Sequence, residues 1–195
     1  MFVRIDSQHV VDEKLFDMCK TAEFNKDPTS VNIEFLDWWD RPETLLHQIF
    51  KQKVYDRGGY YCYEEDGKYL GGMGYYPFEE DENIFVLARM YICPDLGMKK
   101  TVDILMRLMT HVVIAARDDY RAMILFMNSY NDWKLKCFDW ATDPKRNKYT
   151  PFPNILTTVY DKKVRYKYTE QTAVYLDYNK DYAGEIEKCL QRITV

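Results

Sequence analysis

The stretch from Ile84 to Met127 constrains the fold more than any other part of this chain. IFVLARMYI, Ile84 to Ile92, is a mostly apolar run of strand length, and such a strand belongs in the middle of its sheet. After it, Met98, Val102, Leu105, Met109 and Val112 recur at steps of three and four, with Ile104 and Leu108 widening the stripe. That spacing predicts an amphipathic helix. Met123 to Met127 makes a second short apolar strand. Strand, helix and strand in that order predict a right-handed crossover between two parallel strands.

Around this core the pattern is antiparallel. Asp66-Gly67 is the two-residue turn that best signals a hairpin, and its flanks within GGYYCYEEDGKYLGGMGYYPF are rich in aromatics. An acidic loop, Glu79 to Glu82, leads into the central strand. Ile155 to Tyr160 and Thr172 to Tyr178 read as strands, and Tyr182 to Ile193 as a closing helix. Residues 8 to 22 read as a helix with Val10, Leu15, Phe16 and Cys19 on one side. A second helix is expected from Arg41, where Pro42 suits the first turn, and a short one from Asn131 to Ala141. Together these predict an α/β (α+β) fold with a mixed, mostly antiparallel sheet flanked by helices, in a single domain over residues 1–195.

Composition narrows the class. A net charge of −4 gives no general attraction to nucleic acid or anionic membranes. The small cationic cluster at Lys145, Arg146 and Lys148 reads as a solvated loop. No apolar run approaches a membrane span, and charged residues interrupt the N-terminal stretch at once, unlike a signal peptide. The 5 cysteines are odd in number and widely spaced, with no CxxC pair and no histidine beside them. A disulfide framework and a zinc site are therefore not expected, and a reducing cytoplasm fits best.

Three stretches within Gly58 to Asp143 resemble the GNAT superfamily of N-acetyltransferases. GKYLGGMGYYPF resembles the family's third strand. LARMYICPDLGMKKTVDILMRLM resembles the fourth strand, the pyrophosphate loop and the long helix. MILFMNSYNDWKLKCFDWA resembles the fifth strand and the short helix of the acyl-CoA cleft. The family's loop reads Gln/Arg-x-x-Gly-x-Gly/Ala after an apolar-x-Pro strand end. Here Ile92-x-Pro94 is in place, while the three loop positions fall on Gly97, Lys100 and Val102. Those glycines allow close approach of backbone to pyrophosphate at a helix N-terminus. Lys99 and Lys100 instead put two cations there.

The resemblance implies transfer of an acetyl or other acyl group from acyl-CoA, with acetyl-CoA as donor, to a small-molecule or peptide amine. It implies the donor along Met90, Tyr91 and Ile92, and its pyrophosphate at Gly97, Met98, Lys99, Lys100, Thr101 and Val102, with pantetheine near Asn128. The family often uses a tyrosine about seven residues past an asparagine as general acid. From Asn131 that position is Phe138 and from Asn128 it is Leu135, so neighbouring Tyr130 is the substitute. Glu82 is the candidate base, with Glu64 and Glu65 as alternatives. Neither nucleic acid nor membrane is an expected partner, and a homodimer is compatible with the resemblance. Competing readings are a catalytically inactive GNAT-fold binding protein and a virus- or phage-type accessory protein. Cys93 with His111 as a nucleophilic pair is disfavoured, because more than three helical turns separate them. The aromatic set Trp38, Trp39, Tyr60, Tyr61, Tyr75 and Tyr76 suits either an acceptor pocket or sheet-face packing.

Overall fold

The computed structural model describes residues 1–5, 13–21, 57–93, 96–128, 156–166, 169–177 and 182–194. The expected helices at Arg41 and at Asn131 to Ala141, and residues Tyr130, Phe138, Trp38, Trp39, His9 and His47, lie outside them. Among the described residues seven strands occur in the chain order β1 (Phe2–Ile5), β2 (Gly59–Glu65), β3 (Lys68–Phe78), β4 (Asp81–Ile92), β5 (Ala122–Asn128), β6 (Leu156–Tyr166) and β7 (Thr169–Asp177). Three described helices are α1 (Glu13–Thr21), α2 (Gly97–Ala116) and α3 (Ala183–Arg192). Hydrogen-bonded neighbours follow β1-β2-β3-β4-β5-β7-β6. The chain forms two compact units, Met1–Tyr76 with Arg89–Val112, and Pro77–Ala88 with Val113–Val195.

In the first unit the predicted hairpin forms as expected. Asp66 and Gly67 have φ of 50° and 75°, the left-handed pair that matches strand twist, and Glu65 faces Lys68. The glycines beyond it accept cross-strand tyrosine. Tyr60 faces Gly74, and a Cβ at Gly72 would lie 2.6 Å from the Tyr60 hydroxyl. Tyr60 and Tyr75 are therefore core residues, at 2% and 6% exposure, and the sheet-face reading holds for both. Strand β1, which the sequence reading missed, pairs antiparallel with β2 from Phe2↔Tyr63 to Ile5↔Tyr60. Helix α1 sets Leu15 and Met18 against Ile5, Tyr60, Cys62, Tyr69 and Tyr91. From α2, Ile104, Leu105, Met106, Leu108, Met109 and Val112 are buried. Each such burial stabilises by roughly 1.5–3 kcal/mol.

In the second unit β4 and β5 are parallel, from Ile84↔Ala122 to Leu87↔Leu125, as the strand–helix–strand pattern predicts. Antiparallel β7 follows β5 from Ala122↔Asp177 to Asn128↔Gln171, and β6 pairs with its far edge. The expected acidic loop is shorter than read. Only Glu79 and Glu80 form the turn, while Asp81 and Glu82 open β4, because a two-residue connection suffices for an antiparallel pair. Strand β6 runs on through the charged Asp161–Tyr166, which has no apolar run to mark it. Helix α3 buries Ile186, Cys189 and Leu190. No described helix is long and apolar enough to cross a membrane.

Candidate functional site

The candidate cofactor stretch begins at the end of β4. Tyr91 is fully buried, while Met90 and Ile92 are half-buried. The Tyr91 carbonyl and the Ile92 side chain both press on Gly71, where an added Cβ would lie 2.8 Å from each. The Cys93 N–H donates to the Leu70 carbonyl at 2.9 Å, so the sheet ladder holds this strand end to its last residue. The Cys93 thiol donates to the Tyr69 carbonyl at 3.5 Å and packs against the buried cluster, so it serves as a core thiol.

Helix α2 starts at Gly97, whose φ is +71° with open space around a Cβ position. That conformation suits glycine above other residues. Gly97, at the position of the family's Gln/Arg, opens the helix with this left-handed φ. The first N–H groups of a helix lack intrahelical partners, and this helix begins at Gly97. The first turn carries no acidic residue. Two lysines at the positive end of a helix run against the usual dipole preference. Lys99 is exposed and makes no ion pair among the described residues. Lys100 is ion-paired with Glu65, the last residue of β2. The Glu65 carboxylate holds its ammonium above the usual lysine range, with Asp66 and Tyr63 adding smaller attractions. Thr101 and Val102 are half-buried. The loop therefore keeps a helix N-terminus and its cations where the family pattern has glycines.

Of the acid–base candidates, Glu64 pairs with Lys14 at 2.8 Å, and Lys14 also lies over the Tyr69 ring. Glu65 is engaged by Lys100. Glu82 is exposed near the start of β4. Asn128 closes β5 opposite Gln171, its side chain being outside the description along with that of Met98. His111 is stacked on Phe2, with ring centroids 4.2 Å apart, and meets Tyr61 edge-on at 4.7 Å. Its ring thus packs between Phe2 and Tyr61, while the Cys93 thiol faces the Tyr69 carbonyl. Burial lowers its pKa from the ordinary imidazole value.

The second unit holds a polar cluster that sequence reasoning did not find. The Tyr182 hydroxyl donates to Asp81 Oδ2 at 2.6 Å, and Asn83 donates to Asp81 Oδ1 through its backbone N and its Nδ2, at 2.9 and 3.0 Å. Arg121 lies over the Tyr182 ring, and its backbone N–H donates to the Asn83 carbonyl at 2.8 Å. Burial alone would raise the Asp81 carboxyl, but the bonds from Tyr182 and Asn83 outweigh it and hold it below the ordinary value. Asp81 and Tyr182 are 101 residues apart. The cluster fixes the start of α3 to the first residues of β4. Among the described residues no group of His, Cys, Asp and Glu is arranged to hold a metal.

No protein-family model and no curated protein matches the sequence. Solved structures do match in three dimensions. PaiA N-acetyltransferase from Thermoplasma acidophilum, solved in complex with coenzyme A, aligns with a TM-score of 0.57 at 12% identity, over 91% of this chain and 98% of that one. A probable acetyltransferase from Staphylococcus epidermidis aligns at 0.57 with 9% identity, over 91% of this chain and 97% of that one. The GNAT domain of PAT from S. lividans aligns at 0.56 with 10% identity, over 90% of this chain and 89% of that one. At these identities the likeness establishes the fold: the chain has the GNAT, or acyl-CoA N-acyltransferase, fold.

Proposed function

We propose that this chain, a GNAT-like domain over residues 1–195, transfers an acyl group from acyl-CoA to an amine. Acetyl-CoA is the proposed donor and a small-molecule or peptide amine the proposed acceptor. The observation that most supports this reading is the join of β4 to α2. A partly buried strand end at Met90–Ile92 precedes a helix N-terminus that carries Lys99 and Lys100, within a fold shared with acetyltransferases. In this reading the thioester lies along Met90–Ile92, where a backbone N–H polarises its carbonyl. The pyrophosphate sits at Gly97–Val102, on the helix N-terminus. The amine nitrogen attacks the carbonyl carbon, the carbon–sulfur bond breaks, and CoA leaves as a thiolate. Glu82 is the proposed acceptor of the amine's proton, and Tyr130 the proposed donor to the thiolate. A reducing cytoplasm is the proposed setting, on the odd number and wide spacing of the cysteines in the sequence.

A second reading, a GNAT-fold binding protein without catalysis, is favoured by Lys100 and Val102 standing at the family's glycine positions. Calorimetry of acetyl-CoA into the protein, with Lys100→Glu beside it, tests the cofactor. Micromolar binding that weakens in the variant supports the proposal. Absence of heat and of any thermal shift at millimolar acetyl-CoA overturns it, since a ligand of the folded state must raise its stability. Acyl transfer in an amine screen then separates the enzyme from the binder.

A further inference from the structure

We infer that Glu65 is a built-in competitor for the acyl-CoA pyrophosphate, holding Lys100 until the phosphates displace it; this rests on the acyl-CoA reading above. Helix α2 places two lysines and no acid in its first turn, so its N-terminus lacks the negative charge such an end favours. The protein supplies one from outside the helix. Glu65 ends β2, beside the tight Asp66-Gly67 turn, and its carboxylate reaches Lys100 Nζ. Neither partner is deeply buried, with side-chain exposures of 45% for Lys100 and 37% for Glu65. Lys99, one residue earlier, makes no such pair among the described residues. The two lysines therefore differ: one is open to an incoming anion, and the other already holds a carboxylate.

A carboxylate and a phosphate offer an ammonium the same kind of partner, a charged oxygen acceptor. Binding of the pyrophosphate to Lys100 exchanges one for the other. The existing pair must break, and a partly exposed pair is weak enough to break readily. Glu65 thus sets donor affinity without touching the donor. A neutral side chain at this position leaves Lys100 free and tightens binding of any ligand that carries the pyrophosphate. Pantetheine, which lacks phosphates, gains nothing.

The test measures the dissociation constants of CoA and pantetheine for the wild-type protein, Glu65→Gln, Asp66→Asn, Lys100→Met and the Glu65→Gln/Lys100→Met double variant. Thermal melts accompany each. Asp66→Asn removes a neighbouring charge without removing the pair, and asparagine accepts the φ of 50° at that position. The expected result is that Glu65→Gln binds CoA about two- to fivefold tighter, the range a partly exposed ion pair allows. Asp66→Asn should change CoA binding by less, pantetheine binding should stay constant, and the tightening should vanish in the Lys100→Met background. If wild-type protein binds CoA and Glu65→Gln binds it equally or more weakly, the competitor role is overturned while the acyl-CoA reading stands. Equal tightening in Asp66→Asn, or tightening that survives in Lys100→Met, also overturns it, because general charge would then explain the effect. If wild-type and Glu65→Gln both fail to bind CoA at millimolar concentration, the acyl-CoA reading and the competitor role fall together.

Discussion

Gly71→Ala is the substitution whose outcome the structure specifies most tightly. An added Cβ would lie 2.8 Å from the Tyr91 carbonyl oxygen, 2.8 Å from Ile92 Cδ1 and 3.2 Å from Ile104 Cγ2. The isoleucine tip can rotate away, but the carbonyl belongs to the backbone of β4, a neighbour of β3 in the sheet. Several tenths of an ångström of strand displacement are needed. Overpacking of this kind costs about 1–3 kcal/mol. Alanine offsets about 0.4–1 kcal/mol of that by restricting the unfolded chain. The net loss is at most about 2.6 kcal/mol and centres on about 1.3 kcal/mol, and at about 2–4 °C per kcal/mol for a chain of this size the midpoint falls by roughly 3–5 °C at the centre of that range and by up to about 10 °C. Gly184→Ala is the control, since nothing lies within 4 Å of its Cβ position and it sits exposed in α3. There only the unfolded-state gain remains, up to about 1 kcal/mol, and stability should rise. Urea and thermal unfolding followed by circular dichroism measure both variants. If Gly71→Ala unfolds at or above the parent midpoint while Gly184→Ala behaves as stated, the argument from close approach is refuted.

Other outcomes follow from the polar groups. Tyr182→Phe removes the bond to Asp81; such charge-assisted bonds are worth about 1.5–3 kcal/mol when buried, and part exposure reduces this to about 1 kcal/mol, readable as a lower urea midpoint. The Asp81 carboxyl titrates below its ordinary value of 3.8 in the folded protein, so its contribution is complete above that pH and is lost as pH falls through the lower folded value. Unfolding midpoints measured from pH 6 to pH 2 should show a shallower acid decline in Asp81→Asn than in the parent. Burial lowers the His111 pKa below 6.5, so as pH falls the unfolded chain takes up this proton before the folded one does. Stability should therefore drop below about pH 6.5, and His111→Phe should flatten that step. If Glu82 is the base, Glu82→Gln should lower kcat by about 100-fold or more with acetyl-CoA binding unchanged; unaltered turnover would remove it from the mechanism.

What the sequence determined by itself is the local order of this chain. Asp66-Gly67 specified a hairpin because a left-handed pair of residues fits only that turn. The Ile84–Met127 stretch specified a parallel pair around a helix, because two strand-length apolar runs flank a stripe of period 3.6. The helix N-terminus with its two lysines was legible for the same reason. Tertiary structure alone decided what came from distant pairing. Strand β1 has too few residues to show a period and exists through its ladder with β2. The charged end of β6 is a strand because β7 pairs with it from Lys163↔Thr172 to Tyr166↔Thr169. The glycines at 72 and 74 carry no local signal for the Tyr60 ring that they admit. Nor does any sequence window connect Lys100 with Glu65 or Tyr182 with Asp81. Hydrogen bonds and ion pairs depend on the position of atoms in space, and folding brings those atoms together from parts of the chain that sequence period does not relate.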